Sequence, residues 1–278
     1  GTTLDIQSAI NIKNATVTST NGNAGGIVGL MQQGATIRTE EGATATLKNP
    51  AITGSATAGG VAGWAVNTTF DDRDITAAIT VTTPTITANA PAASAGGFAG
   101  KYTLNIGNLG DATDLKFPEQ VTIDTPTLTV NSEGLAGGYF GHLDLNGNLT
   151  YTIGGADSNT KKEVKPAYKD CNARDLGGIA GKVTNTAIAG MLVIQNMTVN
   201  ANKGSDTGLN YLGGLVGELG KAGKNAQAVY LKVSNSDVNV SNPQVTDDGT
   251  NGFGGIAGVL ANGSILKTEN TVKITASG

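Results

Sequence analysis

The chain has 278 residues, of which 38% are hydrophobic, 4% aromatic and 14% charged. Its net charge of −4, from 18 basic and 22 acidic residues that do not cluster, gives no electrostatic footprint for nucleic acid or an anionic membrane and is too mild for disorder. The lone Cys171 excludes an internal disulfide framework or a multi-cysteine zinc site, and no apolar run is long enough to span a bilayer.

The start has neither a basic nor an apolar leader segment, and Gly1 reads as the residue left by tag cleavage, so a signal peptide is expected to have been removed. From Ile10 a pattern of two strands around a corner begins. It runs Ile10-Asn-Ile-Lys-Asn-Ala-Thr-Val17 and returns as Ala45 to Ile52, Ile79 to Ile86 and Val121 to Leu128. Apolar residues at alternate positions, many of them β-branched, give the period of two of a strand with one buried face. Asn49-Pro50, Thr83-Pro84 and Thr125-Pro126 mark the corner, where proline fixes φ and lacks the N–H that a ladder would need. The same phase is expected in Leu192 to Val199 and Leu231 to Val238.

After each corner comes a glycine block, first as Ala24-Gly-Gly-Ile-Val-Gly29 and last as Phe253-Gly-Gly-Ile-Ala-Gly258. Its first glycines are Gly25, Gly59, Gly96, Gly137, Gly177, Gly213 and Gly254; its second are Gly26, Gly60, Gly97, Gly138, Gly178, Gly214 and Gly255. Its third are Gly29, Gly63, Gly100, Gly141, Gly181, Gly217 and Gly258. A glycine at one site in every copy implies close backbone approach or a positive φ. Ile27, Val61, Phe98, Tyr139, Ile179, Leu215 and Ile256 are the block's expected inward residues.

The blocks recur 34 to 41 residues apart, so the block is fixed while the connections vary, as in a stacked repeat. The fold expected for 1–278 is therefore one all-β domain, a right-handed parallel β-helix-like solenoid with about three strands per coil and seven degenerate repeats of about 31–42 residues. The copy at 138–176 diverges, with Lys161 and Glu163 at positions that are apolar elsewhere and only Pro166-Ala167-Tyr168 echoing the corner. Neither end shows a polar capping repeat, so the chain reads as part of a longer solenoid.

The segment Leu212-Gly-Gly-Leu-Val-Gly-Glu-Leu219 and its relatives resemble the GLUG motif, a glycine-hydrophobic repeat of bacterial surface and secreted proteins, adhesins among them. The resemblance covers the seven blocks and lacks the Asn-Cys pair that often follows them. It implies an extracellular or cell-surface module, a β-helical tendency, a role in attachment or display through a host-surface protein or glycan, and no catalytic residues.

Candidate chemistry is sparse. The glycine blocks lack the following helix that a phosphate loop needs, and no cofactor motif appears. His142 is the sole histidine and takes the place held elsewhere by Leu30, Trp64, Lys101, Lys182, Glu218 and Val259, which marks an outward, variable position. Asp71, Asp72 and Asp74 are weak candidates for calcium or for acid/base chemistry, interrupted by Arg73. Asp170 with Asp175, and Asp247 with Asp248, are weaker still. Thr16/Thr18, Thr85/Thr87, Thr127/Thr129 and Thr198/Asn200 are expected in one outward ladder, open to an ice-binding reading or to the plain one that Thr suits an exposed strand. Trp64, Phe70, Tyr102, Tyr151 and Tyr211 are weighed as a sugar-stacking platform against simple packing, and Lys161 to Lys165 reads as a solvated loop. The reading that results is a non-enzymatic surface adhesin or stalk; the alternatives are a polysaccharide-processing β-helix enzyme or a passive carbohydrate- or ice-binding solenoid.

Overall fold

In the computed structural model, the described residues are all but 1, 33, 41, 67–77, 106–113, 132, 147–148, 156, 170, 172, 186–189, 203–210, 221–228, 242–251, 262–263 and 278. They form 32 strands and no helix, and every strand pairing is parallel. The chain is a β-solenoid in which equivalent strands of successive coils stack in register.

Alternation and register agree in the first four coils. The column Ile10, Ala45, Ile79, Val121 runs beside Ile12, Leu47, Val81, Ile123, and around the corner lies Val17, Ile52, Ile86, Leu128. Asn14, Asn49, Thr83 and Thr125 turn that corner at positive φ, between 47° and 52°. The left-handed region is natural for Asn and strained for β-branched Thr. Each corner stays bonded: the N–H of Asn14, Asn49 and Thr83 donates to Lys48, Thr82 and Asp124 of the next coil. The carbonyls of Pro50, Pro84, Pro126 and Pro166 stack in a further column that accepts from Thr85, Thr127, Ala167 and Asn202. Proline is tolerated there because its place in the ladder asks only for an acceptor.

The later copies correct the expected phase. Leu192 and Ile194 stack on Tyr151 and Ile153, in an opening ladder that precedes the corner and also contains Asp114–Lys116. Val199 stacks on Val164 and Val238, while Thr127 finds Ala167 and then Asn202 in its column. Asn196, Asn235 and Asn270, again at positive φ, therefore turn a different corner from Asn14 and Asn49. A separate two-stranded ladder stands before the corner strands of the first coils, where Thr3–Ile6 lies on Thr36–Thr39.

The divergent copy needs a second correction. Lys162 and Val164, not Lys161 and Glu163, hold the column of Met197 and Val199, with Val164 buried. A one-residue slip exchanges the faces of a strand. Lys161 is thereby free to pair with Asp237 at 2.8 Å, and Lys165 with Glu163 at 2.8 Å. The segment is a strand tied to its neighbours rather than a solvated loop. Tyr168 does echo the corner, stacking on Leu128 and donating from Oη to the carbonyl of Gly177 at 2.6 Å.

The glycine blocks lie between two seven-stranded ladders, one ending at the first glycine and one starting near the third. None of the block glycines has a positive φ, so close approach is the reason for them. A Cβ on Gly217 would meet the carbonyl oxygen of Gly181 at 2.5 Å and the backbone N and O of Leu176 at 2.7 and 2.8 Å. On Gly214 it would run into the carbonyl oxygen of Gly255, the second glycine of the next coil. Val61, Phe98, Tyr139, Ile179 and Leu215 are fully buried, as expected of the inward residues.

Candidate functional site

The trailing strand after each glycine block carries alternating side chains, and its outward column reads Leu30, Trp64, Lys101, His142, Lys182, Glu218, Val259 in direct register. The next outward column contains Val66, Thr103, Asp144 and Thr184. Period two and register together therefore set cations, a histidine, carboxylates and hydroxyls on one face, over coils that are otherwise apolar inside.

The members of this face engage one another. Lys101 Nζ lies 5.1 Å from the centre of the Trp64 ring, a cation–π contact. Thr184 donates to Asp144 Oδ1 at 3.1 Å and lies 2.9 Å from His142 Nε2. With the threonine proton directed to Asp144, Nε2 carries its own proton and donates to the hydroxyl. His142 is half-buried rather than freely exposed, and burial, aided by the neighbouring charges of Lys101 and Lys182, lowers its pKa to about 3. Burial pushes the Asp144 carboxyl up, against the opposing effects of Thr184 and Lys101.

One coil before the end of the column Glu218 departs from the outward place expected of it: it is buried, and pairs with Lys182 at 2.6 Å and with Arg174 at 3.6 Å. Asp175, fully buried in the leading strand Ala173–Gly177, lies beside it. The glycine packing explains the meeting: Gly217 rests on the backbone of Leu176, so the residue after the former and the residue before the latter become neighbours. Burial and the adjacent Glu218 charge raise the Asp175 pKa to about 7.

A neutral His142 in the fold, against an ordinary value of 6.5, has a definite consequence for stability. The unfolded chain binds a proton there first, so this contribution is intact above pH 6.5 and is lost as pH falls toward the folded value. The urea midpoint of His142→Gln should gain on that of the parent protein as pH is lowered from 6.5 to 4. An unchanged difference across that range would refute the assignment of a neutral, internally bonded imidazole.

Other sequence candidates are dispersed. Asp71, Asp72, Asp74, Phe70, Asp170, Asp247 and Asp248 lie outside the described residues. Tyr102 and Tyr151 are core, in a ring cluster with Phe98, Phe117, Tyr139 and Phe140, while Trp64 and Tyr211 are half-buried on different ladders. No aromatic platform is assembled from them. Thr18, Thr53, Thr87 and Thr129 form a continuous outward column, but Thr198 and Asn200 belong to the preceding corner strand, paired with Asp237 and Asn239. Cys171 is buried, its thiol 3.0 Å from the carbonyl of Leu128. Among the described residues no group of three or more His, Cys, Asp or Glu could hold a metal ion.

The buried acid pair was not singled out in the sequence, where Asp175 appears only as a minor companion of Asp170. The signal that could have found it is the fixed offset between the residue before one glycine block and the residue after the next. No family model, curated protein or solved structure matches the chain.

Proposed function

We propose that the chain is a non-enzymatic surface module, a stacked spacer that displays its variable connections for attachment to a host-surface protein or glycan. The resemblance to GLUG-type repeats supports a surface setting. The observation that carries the reading is the use made of the recurring residues: the block glycines support backbone-on-backbone stacking, while Leu30, Trp64 and Lys101, in the variable column after the third glycine, lie on the outer face of the coils. A scaffold of this kind keeps its spacing while its loops change.

Asp175 and Glu218, beside Lys182 and Arg174, are the feature that favours the polysaccharide-processing alternative. Both carboxyls are closed to solvent, so a bound sugar would have no approach to them. The purified chain is expected to be retained on a glycan array or on immobilised host-surface protein, and to release no reducing ends from polysaccharide substrates. Steady release of reducing ends that is abolished by Glu218→Gln would overturn the proposal.

A further inference from the structure

We propose that Asp175 and Glu218 form a built-in proton switch that sets the grip between two successive coils. Asp175 is 0% exposed and Glu218 1% exposed, and no described residue gives a hydrogen bond to an oxygen of either, so Glu218 is held by ion pairing alone. The two cations at hand, Lys182 and Arg174, are already engaged by Glu218. An ionised Asp175 would then be a second buried negative charge next to the first, with no donor of its own. Carboxyl pairs in such sites hold one proton between them. Placed on Asp175, that proton can be offered to the adjacent Glu218 carboxylate.

The charged and titratable surroundings are few. Glu218 comes from the trailing strand Val216–Leu219 of the next coil, Lys182 from the trailing strand Ala180–Thr184 of the same coil, and Arg174 from the leading strand itself. In the leading ladder Asp175 stands between Leu135 and Tyr211, so the tyrosine is the remaining titratable neighbour; the nearby strand Ala257–Leu260 has none.

The sign follows from linkage. The folded pKa is raised, so the unfolded chain releases this proton more readily and the contribution is complete only below the unfolded value near 3.8. It is lost as pH rises through about 7. Loss of the proton drives apart the side chains that flank the Gly217–Leu176 contact, so the step between these coils loosens in alkaline solution while the rest of the stack is unaffected.

The test combines carboxyl carbon-13 titration with thermal melts. The Asp175 resonance, identified by its disappearance in Asp175→Asn, is expected to titrate near 7, and in Glu218→Gln to move toward the ordinary carboxylate range. Between pH 5 and pH 9 the melting temperature of the parent protein should fall by roughly 5 °C relative to Asp175→Asn, which keeps the shape and removes the charge. Comparing the two proteins cancels the opposite dependence of His142. An Asp175 titration near 4, one unmoved by Glu218→Gln, or parallel melting profiles would each overturn the switch.

Discussion

Gly217→Val is expected to lose several kcal/mol of stability, more than about 3, whereas Gly29→Ala stays within about 1 kcal/mol of the parent protein. Both are third glycines of a block, and Gly217→Ala, which adds the same single methyl as Gly29→Ala, separates the crowding of the site from the size of the added side chain. At Gly217 the added Cβ would meet three backbone atoms of two other segments at 2.5 to 2.8 Å. Backbone held in ladders on both sides cannot withdraw from it, and the valine adds two further methyls. At Gly29 the nearest atom is the carbonyl oxygen of Asn23 at 3.2 Å. A shift of a few tenths of an ångström suffices there, and alanine's smaller unfolded-state entropy offsets part of the strain. Urea denaturation followed by circular dichroism measures both. Equal losses for the alanine variants at the two sites would show that intrinsic glycine conformation, not coil-to-coil approach, is what the block preserves.

The second large effect is Phe140→Ala, expected to cost roughly 3–5 kcal/mol. Phe140 is fully buried in a column otherwise filled by Val28, Ala62, Ala99, Ala180, Val216 and Ala257. Its ring stacks on Tyr102 with centroids 5.6 Å apart and meets Phe98 at 5.9 Å and Phe117 at 6.0 Å. The alanines above and below leave a space only this ring fills, and close-packed coils cannot collapse into it without breaking register. Phe140→Leu should recover about half of the loss, since a leucine refills part of the volume. A loss under about 1 kcal/mol for the alanine variant would mean that the aromatic cluster contributes little to holding these coils.

The glycine blocks were legible because one physical cause, backbone resting on backbone, acts at the same place in every coil. The corner was legible in the first four copies for a similar reason: Val17, Ile52, Ile86 and Leu128 share a column, and the corner residues share a positive φ. It failed in later copies because asparagine solves the same conformational problem at two different corners. Asn49 and Asn196 both adopt left-handed backbone, one after the first corner strand and one before it. Chemistry alone does not tell these bends apart; ladder register does. The polar face escaped notice for another reason. Lys101, His142, Lys182 and Glu218 were recognisable as one variable column, but nothing local marks Glu218 as its buried member or says that it lies beside Asp175. Their meeting depends on how far one coil is rotated against the next, which the Gly217–Leu176 contact fixes.

The parallel register described for every ladder also has a mechanical meaning. The strands lie across the stack, with the first coil at one end and the last at the other, so tension applied at the two termini pulls coils apart along the direction of their hydrogen bonds. Bonds loaded in this way open one after another instead of sharing the force. A stretched molecule would therefore yield in steps, paying out a single coil of 34 to 41 residues at a time, while compression would press each coil more firmly onto its neighbour.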